Sequence, residues 1–96
     1  MEPQDAMTEL ANATAIPPEV RARMDRDRAV AEKSGRASDV FRFFAYSHLP
    51  EHLQAVSRPI GMLAEEMILA LPDSAERTAG LRKLLEAKDC FVRAKL

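Results

Sequence analysis

The feature that most constrains the fold is a four-residue break between two apolar helical patterns, at positions 71–74. Leu71-Pro72 ends the first pattern, since proline cannot continue a helix. Asp73 then predicts an N-cap, and Glu76 three positions later completes a capping-box pattern. A connection this short forces the two helices to lie antiparallel. The sequence therefore predicts a helical hairpin over residues 50–96.

The two helices of this hairpin carry more apolar surface than they can bury against each other. The first has apolar residues at alternating spacings of three and four, a heptad pattern, and Pro59 within it predicts a kink. The second has an apolar face wider than one partner helix needs, which predicts self-association. The heptad positions are Leu53, Val56, Ile60, Leu63, Met67 and Ala70, and the wide face comprises Leu81, Leu84, Leu85, Ala87, Phe91 and Val92.

The first half of the chain divides into three further segments of a single domain. Residues 1–15 are polar and aperiodic and are predicted to be flexible. Residues 16–35 predict a short helix that opens at Pro17-Pro18 and stops at Gly35. Residues 36–49 predict a connector whose aromatic side chains either cap the open end of the hairpin or stack on a nucleobase. Those aromatics are Phe41, Phe43, Phe44 and Tyr46.

Size and charge narrow the possible classes of protein. A chain of 96 residues buries too little surface for a strong core, and Cys90 is its only cysteine, so an intrachain disulfide is excluded. Self-association is the expected source of further burial. The net charge of −1 favours neither duplex nucleic acid nor a membrane surface as a partner. No apolar run is long enough for a membrane span and no secretory signal is evident, which predicts a cytoplasmic protein.

Motifs for catalysis or metal binding are weak. His48, Glu51 and His52 match the H-x-x-E-H pattern of inverted zinc proteases, but Pro50 lies between the histidines and disturbs their helical geometry. His48 is instead expected to cap a helix or face a ligand, and Cys90 to be a small core residue. We therefore expect a protein that is not an enzyme, with no metal and no cofactor. On the last helix, Arg82, Glu86, Asp89 and Arg93 form either an exposed ion-pair ladder or part of a phosphate site.

The C-terminal part of the chain resembles a known family. The segments that carry the resemblance are Phe44-Ala45-Tyr46-Ser47-His48-Leu49-Pro50, Leu53-Gln54, Ser57-Arg58-Pro59, Leu71-Pro72-Asp73-Ser74-Ala75-Glu76-Arg77 and Leu81-Arg82-Lys83-Leu84-Leu85-Glu86-Ala87-Lys88-Asp89. Residues 41–96 are thus similar to the helical-hairpin domain of phage anti-CBASS and anti-Thoeris sponge proteins. Residues 1–40 do not resemble the ligand-binding N-terminal segments of that family.

The resemblance implies a function without catalysis. Members of the family are homo-oligomers, commonly hexamers, that sequester cyclic di- or trinucleotides or cyclic ADP-ribose variants in sites between subunits and so block anti-phage signalling in the host bacterial cytoplasm. An aromatic residue stacks on a base, while basic and hydroxyl groups hold phosphates. The matching residues are Tyr46, His48, Arg77, Arg82 and Lys83, with Ser57 and Arg58 as a second candidate site. The alternatives are a helical protein-interaction module without a nucleotide ligand and a nucleic-acid-binding regulator that uses Arg21, Arg23, Arg26 and Arg28.

Overall fold

The computed structural model describes residues 15–96, and all regular secondary structure in this part of the chain is helical, with no strand. The predicted all-α class is therefore confirmed for these residues. All of the predicted flexible segment except Ala15 lies outside them. The elements are α1 (Pro18–Ser34), a 3₁₀ turn (Gly35–Ala37), α2 (Ser38–Phe41), a second 3₁₀ turn (Arg42–Phe44), α3 (Glu51–Ala70) and α4 (Ala75–Lys95).

Helix α1 begins and ends where the prolines and the glycine predict. Pro17 is the N-cap residue and its carbonyl accepts from the backbone N–H of Arg21, while Pro18 occupies the first helical position. At the other end, Gly35 adopts φ 47° and ψ −119°, a conformation that residues with a Cβ rarely reach. The chain therefore turns sharply out of α1 at Gly35.

The aromatic connector is more helical than predicted, because two 3₁₀ turns and α2 fill most of it. Its aromatic side chains have different environments. Phe44 is fully buried, and its ring stacks on Phe41 with the centroids 6.3 Å apart. Phe43 points outward and is 53% exposed, and Tyr46 is half-buried. Of its aromatic residues, the connector thus places Phe44 in the core and leaves Phe43 and Tyr46 nearer the surface.

The buried face of α3 is not the predicted heptad face, which is a correction. Of the six heptad positions only Leu53 is buried, and Leu63 is 41% exposed. The buried face is rotated toward small side chains, because these let the neighbouring elements approach the α3 backbone closely. Pro59 lies inside α3 and does not end it, and the kink expected at Pro59 stays a prediction. The buried residues of α3 are Leu53, Ser57, Gly61, Ala64, Glu65 and Ile68.

The cap of α4 also differs from the prediction. Ser74, not Asp73, is the N-cap, and its hydroxyl accepts from the backbone N–H of Arg77 at 3.1 Å. The Asp73 carboxylate instead accepts from the backbone N–H of Arg36, at 3.3 and 3.4 Å. The aspartate therefore connects the α3–α4 turn to the segment that follows α1, a long-range contact that a local capping pattern cannot reveal.

Arg77 is the central polar residue of this junction. Its guanidinium donates to the carbonyls of Ile68 and Leu71 at the end of α3, at 3.1 and 3.0 Å. It also donates to the carbonyls of Lys33 and Ser34 at the end of α1, at 2.9 and 2.8 Å. The last carbonyls of a helix have no partner within the helix, so one buried side chain satisfies the ends of two helices.

The hydrophobic core lies where α1, the connector, α3 and α4 meet, and α3 and α4 pack against each other more extensively than any other pair. Among the described residues, no helix is long and apolar enough to cross a membrane. The core comprises Val30, Ala37, Val40, Phe44, Ala64, Ile68 and Leu81.

Candidate ligand-binding cleft

A cleft of about 390 Å³ opens between α1, the end of the connector and the middle of α3. Its volume is at the lower end of the usual range for small-molecule sites. Aromatic and charged side chains line it together, which distinguishes it from the mainly apolar groove between α3 and α4. Its lining residues are Arg23, Asp27, Phe41, Arg42, Phe44, Ala45, Tyr46, Ser47, Gly61 and Glu65.

Tyr46 lies against the backbone of α3 at Gly61. A Cβ atom at Gly61 would be 3.0 and 3.2 Å from Cδ1 and Cε1 of the Tyr46 ring, and 3.0 Å from the carbonyl oxygen of Phe44. Such contacts are tighter than ordinary van der Waals separation, so the absence of a side chain at Gly61 allows the ring to lie here. The position of Tyr46, the predicted stacking residue, therefore depends on Gly61 in α3.

The floor of the cleft contains a buried carboxylate that pairs with two arginines. The side chain of Glu65 is only 6% exposed and accepts from Arg23 Nη1 and Nη2 at 3.1 and 2.7 Å, and from Arg26 Nε at 3.0 Å. These hydrogen bonds from α1 to α3 balance the buried charge. Arg23 Nε also contacts Asp27 Oδ1 at 3.1 Å. The hydrogen bond to Glu65 raises the pKa of Arg23 above its ordinary value, so this side chain remains cationic.

Arg42 supplies a cation that contacts an aromatic ring but no carboxylate among the described residues. Its guanidinium carbon lies 4.8 Å from the centroid of the Phe43 ring, a cation–π geometry, and within residues 15–96 it makes no ion pair. Lys88 of α4 holds this segment by donating to the carbonyl of Phe43 at 2.6 Å. The cleft thus brings together Tyr46 and the exposed Arg42, on a segment anchored to the core.

The other predicted ligand residues do not converge on this cleft. His48, Arg82 and Lys83 are exposed but line none of its surface, and Arg58 lines a separate shallow depression beside Pro59. Ser57 is completely buried, and its hydroxyl has no hydrogen-bond partner among the described residues.

Arg77 does not fit the predicted contact with a ligand phosphate. It is buried, and both terminal nitrogens donate to main-chain carbonyls. The prediction failed because a basic residue on a helix has the same sequence signature whether it points to water or to the ends of two other helices. The structure assigns this side chain to the fold.

The histidines of the H-x-x-E-H pattern occupy different surroundings. His48 lies in the turn before α3, and His52 is exposed in its first turn. Within residues 15–96, no three His, Cys, Asp or Glu side chains come together to hold a metal ion. Cys90, expected in the core, is exposed and accepts a hydrogen bond from Arg93 at 3.3 Å.

From the sequence, Arg23 was named only among the arginines of the nucleic-acid alternative, and Asp27, Arg42 and Gly61 were not singled out as ligand residues. Arg23 and Asp27 are spaced four apart on α1, which indicates an ion pair but not what it faces. Arg42 is one of several arginines, and Gly61 is an unremarked glycine within a helix. An isolated glycine in a helix often marks a close approach, so Gly61 was the available signal.

A second concave surface lies between α3 and α4 and is mainly apolar. It has a volume of about 450 Å³ and is lined by two residues of the predicted heptad face, Leu63 and Met67, together with the exposed Leu71. This groove is a candidate contact surface, whereas the cleft of Tyr46 is a candidate small-molecule site. The apolar side chains that line the groove are Leu63, Met67, Leu71, Pro72, Leu81 and Leu84.

Comparisons with protein-family models, curated proteins and solved structures give no match to this chain.

Proposed function

We propose that this protein binds cyclic oligonucleotide signals without cleaving them and thereby sequesters them. The proposal is carried by one observation: Tyr46 and Arg42, which makes no ion pair among the described residues, line the same cleft. The resemblance of residues 41–96 to phage sponge proteins names the ligand class, which includes cyclic di- and trinucleotides and cyclic ADP-ribose variants. Blocking a host anti-phage signal in the cytoplasm is the role that follows from such binding.

The chemistry of the cleft suits a nucleotide. A base that stacks on an aromatic ring gains about 1–3 kcal/mol, whichever base it is. A guanidinium binds phosphate oxygens through paired hydrogen bonds, and Arg42 has no carboxylate to displace among the described residues. Arg23 is less available because Glu65 and Asp27 already hold it. Arg42 is therefore the proposed phosphate contact and Tyr46 the proposed base contact.

The size of the cleft supports the proposal of a homo-oligomer. A volume of about 390 Å³ suits one nucleotide unit better than a whole cyclic dinucleotide. A symmetric ligand with two bases and two phosphates would be matched by two clefts from two copies related by a two-fold axis. We propose that the antiparallel hairpin of α3 and α4 assembles in this way, as a hexamer if it follows the sponge proteins.

The single tyrosine provides a direct test. The chain contains no tryptophan, so its fluorescence comes from Tyr46 alone. A base stacked on the ring should quench that emission in a saturable manner when cyclic di- or trinucleotides are added. Arg42→Ala should weaken binding by about ten- to a hundredfold, because a charge-assisted hydrogen bond contributes roughly 1.5–3 kcal/mol.

Arg36→Ala is the matched control, since Arg36 is exposed, lies outside the cleft and is not among the ligand residues implied by the resemblance. It should leave the affinity unchanged. Equal affinities for both variants and the unaltered protein would remove Arg42 from the site. Unchanged emission with every nucleotide would contradict the proposal itself.

The second candidate function is a helical interaction or assembly module with no nucleotide ligand. The observation that favours it is the apolar groove between α3 and α4, whose residue Leu63 is 41% exposed. Exposed apolar surface of this kind often marks a protein-binding site. An absorbance excess near 260 nm in the purified protein would favour the sponge, since it would indicate co-purified nucleotide.

A substitution in the groove tests whether it is the surface through which copies associate. We expect Leu63→Glu to convert the oligomer to a monomer, because it places a charge in an apolar contact. Sedimentation velocity provides the measurement. Met62→Glu is the control, because Met62 is similarly exposed, at 38%, but does not line the groove. A monomeric unaltered protein would contradict the homo-oligomer and leave the groove to a different partner.

A further inference from the structure

Asp27 is a cleft residue whose chemistry the proposed stacking and phosphate contacts do not use. It lies on α1 and lines the same cleft as the Tyr46 ring. Its side chain is 54% exposed, so at least part of the carboxylate can be reached from solvent. A carboxylate repels the phosphate groups of an anionic ligand. The phosphates must therefore lie away from Asp27, and its carboxylate must contact another part of the ligand.

The carboxylate of Asp27 is held in place but not saturated. Oδ1 lies 3.1 Å from Arg23 Nε in an ion pair, and Arg23 is fixed in turn by its two hydrogen bonds to Glu65. An ionised carboxylate has about four acceptor positions on its two oxygens. Within residues 15–96, Asp27 has this ion pair and accepts no side-chain hydrogen bond. The cleft therefore presents an ordered acceptor whose remaining capacity is free for a ligand donor.

From this geometry we infer that the cleft selects guanine, with Asp27 accepting from the N1–H and the 2-amino group of the base. This inference rests on the proposed function and names the base that the site prefers. The aromatic face of Tyr46 binds any base without discrimination. A carboxylate at the base edge is selective because it can only accept hydrogen bonds.

The four common bases differ in what they offer to two acceptor oxygens. Guanine has two adjacent donors on its Watson–Crick edge and can pair with both oxygens of one carboxylate. Adenine and cytosine each place a ring-nitrogen acceptor beside their amino group, and that lone pair would face the carboxylate. Uracil offers one N–H between two carbonyls. Guanine alone matches Asp27 at both oxygens, and a good bidentate contact of this kind discriminates about five- to a hundredfold.

Hypoxanthine is the sharpest probe, because it differs from guanine only in lacking the 2-amino group. We would titrate the protein with cyclic di-GMP and with cyclic di-IMP and follow the emission of Tyr46. Cyclic di-GMP should bind at least about fivefold more tightly. Asp27→Asn should remove that preference by weakening the cyclic di-GMP complex more than the cyclic di-IMP complex, because an amide has one acceptor oxygen instead of two. The variant should fold normally, since Asp27 is more than half exposed.

Asp25→Asn is the matched control. Asp25 is an exposed aspartate on the same helix that does not line the cleft, so the guanine preference should survive its substitution. Equal affinity of the unaltered protein for the two ligands would overturn the inference while leaving the proposed function intact. An equal loss for both ligands in Asp27→Asn would also overturn it, since Asp27 would then act only by holding Arg23. No response to either ligand, or to any other cyclic nucleotide, would instead reject the proposed function.

Discussion

Replacing Arg77 with alanine is expected to destabilise the protein by about 3–5 kcal/mol. The substitution leaves four main-chain carbonyls at the ends of α1 and α3 without their donor. Each buried polar group that loses its partner costs roughly 1–3 kcal/mol, although some of these carbonyls will gain water in the space vacated. For a domain of this size the midpoint of thermal unfolding should fall by about 15 °C. Differential scanning calorimetry measures the change.

Two further variants separate geometry from charge. Arg77→Lys retains the charge, but one ammonium group cannot reach the carbonyls of two helices from a single nitrogen, so it should recover little of the loss. Arg82→Ala, at an exposed position of the same helix, should change the free energy of unfolding by no more than about 0.5 kcal/mol. A loss below about 1 kcal/mol in Arg77→Ala would contradict the structural role of Arg77.

Gly35→Ala is expected to destabilise the protein by about 2–3 kcal/mol. The residue has φ 47° and ψ −119°, and holding a side chain in such a conformation costs roughly 1–3 kcal/mol. A Cβ atom would also overlap the Asp73 carboxylate, which accepts from the backbone N–H of Arg36. The substitution thus strains the turn and breaks the contact between that turn and the α3–α4 connection. Denaturant unfolding at equilibrium measures the loss.

Gly80→Ala is the matched control, with the opposite sign expected. Gly80 lies within α4, and a Cβ atom there would meet nothing within 4 Å. Alanine should therefore stabilise the helix by about 0.5–1 kcal/mol, through the lower entropy of the unfolded chain and the better helix propensity. Equal free energies of unfolding for Gly35→Ala and Gly80→Ala would contradict the requirement for glycine at position 35.

The sequence predicted the helices well because their boundaries depend on local chemistry. Pro18, Gly35 and Pro72 each act on the backbone next to them, and the corresponding helix ends lie within about a residue of the predicted positions. The prediction of which face of α3 is buried was wrong, because it assigned the large apolar residues to the core. The buried face instead includes Gly61 and Ala64, whose small size lets other elements approach the backbone of α3.

The candidate site was less predictable because it depends on contacts across the chain. Tyr46 was predicted as a ligand residue, but its position depends on Gly61, which lies fifteen positions further along the chain, in α3. Arg77 was wrongly placed among ligand contacts because its partners are carbonyls, which every residue has and no motif displays. Arg42 could not be distinguished from other arginines until its lack of an ion pair among the described residues was seen.

The most direct test of the central claim is to measure thermal stability with cyclic di- and trinucleotides and cyclic ADP-ribose isomers, and then to release the ligand by heating and identify it. A ligand that binds only the folded protein, at a hundredfold excess over its dissociation constant, should add about 2.7 kcal/mol, or roughly 10 °C. Sequestration predicts a clear rise for one class of ligand and its recovery intact. No rise for any ligand, or recovery of a cleaved product, would contradict a protein that binds such signals without reacting with them.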